Sequence, residues 1–267
     1  MTAKLKAWQG RRLVRLYQRN ISFSDEVDIR SSRFLHLILY PRFSESEYEK
    51  RIAELKSLGI TSIILDGRTI VNGIRVAGKG CVGLVVKAKS GSKVYALKIR
   101  RTDADRKTMD NEARLHIIAN SAGVGPSLEG QTKNMIAMEF ITGQNIIDWL
   151  DDNTEKTRLR TVARAILEQC FSLDRASIDH GELSRLARHV IVSNRPYIVD
   201  FESASTIRKT CNVTAATQAI FLHGIIASKV KERLGNTNRE KVIQALRRYK
   251  NSQKRENFEV LLDSLSI

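Results

Sequence analysis

Cysteine, proline and aromatic residues are all scarce in this chain: three, three and 6% of its 267 residues. Cys81, Cys170 and Cys211 are odd in number, far apart and without CxxC spacing. They point to neither a disulfide framework nor a zinc site, and fit a reducing, cytoplasmic setting. Long apolar runs are missing as well. The most apolar stretches, such as FLHLILY, fall well short of the ~20 residues needed to cross a bilayer, so no membrane partner is expected. Acid is absent from the first twenty residues, MTAKLKAWQGRRLVRLYQRN, which carry six basic ones. They lack the continuous apolar core of a signal peptide and read as a basic, partly helical arm, with an organelle-targeting peptide as the other reading such charge allows. There is no internal repeat and no low-complexity tract, and so few prolines punctuate little, so the organisation is read from periodicity.

What the chain has in excess is positive charge. Forty-five Lys and Arg against 29 acids give a formal charge of +16. That balance favours a polyanionic partner, RNA or a ribonucleoprotein, or else serves general solubility. The length suffices for a substantial core, either one two-lobed domain or a domain with an appendage.

RFLHLILY reads as a strand over Arg33–Tyr40, and SESEYEKRIAELKSLG as a helix with a serine cap, an acidic first turn and a stop at Gly59. The strand TSIILDG follows, so residues 1–72 form a small α/β unit without a catalytic signature. From Gly73 to Arg100 the pattern turns to alternating and β-branched residues, GIRVAGKGCVGLVVKAK and KVYALKIRR joined by SGS: two strands and a tight turn. DRKTMDNEARLHIIANSAG reads as a helix ending near Gly123, NMIAMEFITGQNIIDWL as a strand and a short helix, and Glu155–Phe171 as a core helix. HVIV and PYIVDF are two short strands joined by SNR. The C-terminal NREKVIQALRRYKNSQKRENFEVLLDSLSI reads as two amphipathic helices with a strongly basic exposed face, either solvated or in contact with RNA.

The chemistry is carried by glycines. Gly78, Gly80 and Gly83 lead straight into LVVKAK rather than into a helix, which removes a dinucleotide fingerprint. Gly83 is followed by Leu84 and Val85 rather than by Lys and Ser or Thr, which removes a Walker loop. What remains is a GxGxxGxV hairpin, completed by Val85, whose backbone can approach phosphates closely. Further along, Lys98 stands on a strand in YALKI. Glu112 lies on the inward face of its helix among Met109, Leu115 and Ala119, where a carboxylate needs a cation, and Lys98 is the candidate.

In this order the segments resemble a protein kinase, and residues 73–205 resemble the minimal kinases of the RIO type, the small archaeal kinase of the tRNA-modifying KEOPS complex, and predicted archaeal serine/threonine kinases with DHGEL and DFESAS segments. The resemblance implies an α+β, two-lobed kinase-like fold: an N-terminal α/β extension over 1–72, a β-rich N-lobe over 73–140 and a reduced helical C-lobe over 141–267. It implies ATP with Mg2+ or Mn2+, and γ-phosphoryl transfer to a protein hydroxyl, autophosphorylation included. Lys98 would clamp the phosphates and Glu112 would orient it. Met138 would be the gatekeeper, the backbone of Glu139 and Ile141 would hold the adenine edge, and Val85 and Ala96 would roof it. Glu182 in HGEL stands at the catalytic aspartate, and Asp200 in VDFE at the magnesium-binding aspartate.

Three departures from the family follow. Glu182 is one methylene longer than aspartate, which shifts its reach by roughly an ångström, worth ~10²-fold in rate. His189 replaces the asparagine of the second metal position once a two-residue insertion in SRLAR is allowed, and imidazole suits transition metals better than magnesium. Glu202 replaces the flexible glycine after Asp200-Phe201, so an ordered segment is expected. Two other readings stand beside the kinase: a degenerate nucleotide-binding scaffold, and an ATPase in an RNA-processing assembly.

Overall fold

The computed structural model describes residues 26–152 and 155–267, and the basic N-terminal arm read from the sequence lies outside them. The fold is α+β with an antiparallel main sheet. It begins with β1 (Glu26–Asp28), α1 (Ser32–Ile38), α2 (Glu45–Ser57) and β2 (Ser62–Ile64). Next come the hairpin β3 (Thr69–Val71) and β4 (Ile74–Val76), the short β5 (Gly78–Lys79), and the long pair β6 (Gly83–Ser90) and β7 (Lys93–Arg100). Helix α3 (Asp110–Ser121) precedes β8 (Leu128–Gln131) and β9 (Met135–Glu139). The rest is mainly helical: β10 (Gln144–Asn145), α4 (Ile146–Asp151), α5 (Lys156–Arg175), α6 (Leu186–His189), β11 (Val190–Val192), β12 (Pro196–Ile198), α7 (Asn212–Thr217), α8 (Gly224–Leu234), α9 (Arg239–Asn251) and α10 (Arg255–Leu265).

The main sheet runs β1-β2-β6-β7-β9-β8, with β5 also on β6. Thus β1 and β2 continue the sheet that holds the glycine hairpin. β6 is paired along its outer edge twice, by β2 at Lys87–Lys89 and by β5 at Leu84 and Val85. Strands β10, β11 and β12 form a small antiparallel sheet beside the helices.

Buried apolar side chains gather in two principal clusters. One lies between the main sheet and the first two helices, around Phe34, Ile52, Leu55 and Ile63. The other is helical, built on the apolar stripe of α5 (Leu159, Val162, Ile166, Leu173) against α4, α7, α8, α9 and α10. A small group, Val82, Met109, Ala113 and Ile136, lies against α3.

One expected strand is a helix. Arg33–Tyr40 falls mostly in α1, where Phe34, Leu37 and Ile38 are buried. Their i, i+3, i+4 spacing is helical, and a short apolar run cannot be assigned from periodicity alone. The Ser31 hydroxyl accepts the Phe34 N–H and starts the helix. PYIVDF is a shorter strand than expected, because the backbone turns at Asp200, whose φ is +71°.

Polar networks dock two helices. Arg51 on α2 is fully buried and donates to the carbonyls of Ile38 (2.7 Å) and Arg100 (2.6 Å) and to Glu47 (3.0 Å). One turn on, Glu54 accepts from the backbone and side chain of Asn134. In the helical half, buried Asp174 accepts from Asn212, the Val213 N–H and the Tyr249 hydroxyl, joining α5, α7 and α9. Among the described residues no single helix is long and apolar enough to cross a membrane. One pair, Asn212–Leu222 with Gly224–Leu234, reaches the length and composition only across a 59° bend, and its buried side chains belong to the helical core.

Arg51→Met should cost about 3–5 kcal/mol in urea unfolding, because it strands buried carbonyls and the Glu47 carboxylate. A loss under about 1 kcal/mol would show that the network does not hold α2 in place.

Candidate functional site

Strand β7 carries Lys98 into the interior, where Leu97 and Ile99 on its other face and α3 on its own leave the residue 4% exposed. A buried ammonium is unfavourable without compensation, and here three carboxylates compensate it. Nζ lies 2.7 Å from Glu112 Oε1, 2.9 Å from Asp200 Oδ1 and 3.0 Å from Glu202 Oε2. Burial opposes the charge on Lys98, but the carboxylates outweigh it and its pKa is raised. Burial dominates at Glu112, whose pKa is raised despite Lys98. At Asp200 the burial penalty is overcome by Lys98, and the pKa is lowered.

The glycine hairpin covers this centre. A Cβ on Gly83 would come within 3.1 Å of Lys98 Cγ and 3.0 Å of the Ile99 carbonyl, so only glycine fits without displacement. A Cβ on Gly80 would meet Glu202 Oε2 at 3.7 Å, which places the hairpin tip over the carboxylates. Gly78 is paired with Val85, and Val85 is in turn paired with Lys98 across β6 and β7. Ala96 pairs with Met138 on β9. Beyond them the Glu139 N–H donates to the Ser127 carbonyl, whereas the peptide groups of Ile141 have no hydrogen bond among the described residues.

The loop bearing Glu182 follows α5. Gly181 has φ +87°, and a Cβ there would collide with the Arg208 guanidinium. That guanidinium donates to Asp179 Oδ2 (2.9 Å) and to the Ser203 carbonyl, while Asp179 and Ser205 exchange both backbone hydrogen bonds. The segment after Asp200 is therefore tied to the Glu182 loop. Glu182 keeps 31% of its side chain exposed, and its Oε2 lies 3.2 Å from His189 Nε2.

The structure brings Gly80, Gly83, Lys98, Glu112 and Asp200 together. It turns His189, read as a metal ligand, toward Glu182. Among the described residues no group of three His, Cys, Asp or Glu side chains is arranged to hold a metal ion, since the carboxylates here surround an ammonium. Asp200 keeps 39% of its side chain exposed. One exposed carboxylate suits Mg2+ or Mn2+, which take most of their oxygens from phosphates and water rather than from a protein cage. Of the five buried side-chain atoms without a partner among the described residues, Glu112 Oε2 lies on the lysine cluster and Arg106 Nη1 beside it, the latter on a guanidinium that donates through Nη2 to the Glu202 carbonyl. Sequence reasoning noticed Glu202 only as a replaced glycine and missed Arg106 and the Asp179–Arg208 clamp. Asp200 has φ +71° and residues 200 and 202 both reach Lys98, a local turn that nothing in the letters announces.

The fold and site thus define an α+β protein with a buried lysine held by three carboxylates beneath a glycine hairpin. By sequence the chain belongs to the family of the uncharacterized protein MJ1211 of Methanocaldococcus jannaschii: the two are 36% identical over 98 residues, which span 36% of this chain and 83% of that protein. No protein-family model matches the chain.

His180, fully buried, donates its Nε2–H to the Val199 carbonyl, and its Nδ1 has no partner. Burial, with His189 beside it, pushes its pKa down to about 4. The unfolded chain binds this proton near the ordinary value of ~6.5 and the folded chain does not, so stability falls as pH falls between those values. Between pH 7 and pH 5 the group should cost about 2 kcal/mol. His180→Gln should flatten the pH dependence of urea unfolding by that amount, and an unchanged slope would mean that His180 titrates normally.

Proposed function

We propose that the protein is an ATP-dependent phosphotransferase, a minimal serine/threonine protein kinase of the RIO and KEOPS-kinase type, with a β-rich lobe and a helical lobe meeting at this site. The observation that carries the reading is the convergence on Lys98 of Glu112 from α3 and Asp200 from beyond β12, under Gly80 and Gly83. A strand lysine paired with a helix carboxylate, beside a metal-binding aspartate and a glycine hairpin, is the apparatus that phosphoryl transfer requires, because that chemistry is mainly positioning and charge stabilisation.

Glu112 fixes the Lys98 ammonium where it can meet the α and β phosphates. The hairpin backbone shields them from water. Asp200, with its exposed oxygen, would hold Mg2+ or Mn2+, which supplies charge neutralisation at the phosphate oxygens. Glu182, exposed and near His189, orients the accepting hydroxyl and takes its proton. The unpaired peptide groups of Ile141 suit an adenine edge. With three carboxylates on one ammonium, the contacting set carries two surplus negative charges, which favours a cation beside it.

Glu202 adds a constraint of its own. Its carboxylate takes a position on Lys98 that a phosphate would also need, so nucleotide binding displaces it. The same contact favours the second reading, a nucleotide-binding scaffold or weak ATPase in an RNA-processing assembly, since Lys98 has no free donor direction while Glu202 stays.

Incubation with radiolabelled ATP should give autophosphorylation that falls about 100-fold or more in Asp200→Ala. Equal incorporation in the two proteins would remove the enzyme reading and leave the scaffold. Glu202→Gln should bind a fluorescent ATP analogue about five-fold more tightly, the equivalent of ~1 kcal/mol for one competing charged hydrogen bond. Unchanged affinity would show that Glu202 does not compete with the phosphates.

A further inference from the structure

On the helical side, away from Lys98, a groove of about 300 Å³ opens between α9 and the turn that links α7 to α8. Arg239, Ile243, Arg247 and Lys250 recur at helical spacing along α9, so one face of the helix forms one wall. The other wall is a π-helical turn, Gln218–Leu222, which ends at His223 just before the 59° bend into α8. Such widened turns are rare and concentrate at functional sites.

The groove has two chemistries. Its floor is apolar, from Leu222, Ile243 and Leu246, and its rim carries Arg239, Arg247 and Lys250 with no carboxylate among the lining residues. These three cations are exposed, and none makes an ion pair or a side-chain hydrogen bond among the described residues. Their neighbours are engaged: Arg248 donates to Asn257, Arg255 pairs with Glu168, and Lys229 with Asp151. Positive charge is thus left unneutralised along one helical face spanning about 16 Å, eleven residues at the helical rise.

We propose that this groove is a binding site for single-stranded RNA, with the phosphodiester backbone along Arg239, Arg247 and Lys250 and a base or ribose face on the apolar floor. Guanidinium groups match phosphate oxygens in pairs, which an ammonium-only surface does not offer. Thr214 and Gln218 on the opposite wall both donate and accept hydrogen bonds, as base edges and 2′-hydroxyls demand. An acidic peptide would satisfy the cations but has no flat apolar face for the floor. The formal charge of +16 draws a polyanion to the molecule, and the groove gives it a place. The site is separate from the phosphotransfer centre and stands whether or not that reading holds.

The test is fluorescence anisotropy of a labelled oligouridylate across a salt series with the full chain. The triple variant Arg239→Glu, Arg247→Glu, Lys250→Glu should lose at least about tenfold in affinity, and the slope of log affinity against log salt should become shallower by about two, three contacts at ~0.7 each. A control triple, Lys56→Glu, Lys107→Glu, Lys133→Glu, removes the same charge from exposed, unpaired positions elsewhere and keeps the N-terminal arm. It should keep most of the affinity. Should the charge reversal unfold the helix, the triple Arg239→Gln, Arg247→Gln, Lys250→Gln gives the same comparison. Equal losses in groove and control variants would overturn the site, and so would displacement of the oligouridylate by polyglutamate as readily as by unlabelled RNA.

Discussion

The buried ammonium of Lys98 is the charge on which this structure turns. It sits on a central strand and is reached by carboxylates from a helix fourteen residues on and from a loop more than a hundred residues on. Without it, Glu112 would be a buried anion among apolar neighbours, and Asp200 and Glu202 would repel each other. Without them, the ammonium would be unsolvated in the sheet's interior. Each side of the pairing therefore holds the other in place, and the charges join the sheet to the segment beyond β12, which Phe201 also anchors by packing on His116.

The same pairing explains the glycines. A hairpin drawn down over a long lysine side chain crowds any Cβ at Gly83 against that side chain and the Ile99 carbonyl, and the tip at Gly80 faces Glu202. The loop with Gly181 is tight for a related reason, since a guanidinium occupies the space a side chain would need. In both places an absent side chain lets a charged one through, and the fold accepts backbone flexibility there in exchange for electrostatic reach.

Much of this was readable from letters. The periodicity of β6, β7, α3, α5 and the two C-terminal helices is strong because each element buries one regular face. The inward position of Glu112 followed from that same regularity. What could not be read depended on geometry without a period. FLHLILY satisfies strand and helix alike until Ser31 is seen capping it. Glu202 reaches Lys98 from a segment whose backbone enters the left-handed region at Asp200, a turn that has no sequence period. His189 looked like a metal ligand by position, and it faces Glu182 because the short turn Leu183–Arg185 and helix α6 fold back on that residue.

The double pairing of β6 bears on how the molecule can be cut. Starting an expressed fragment at the glycine-rich segment would strip β2 from Lys87–Lys89 and bare a row of backbone donors and acceptors on a strand built of valine, lysine and alanine. Such an edge is a template for strands of neighbouring molecules. The segment before the hairpin is thus a cover against self-association, and the smallest soluble piece containing the lysine centre has to include it.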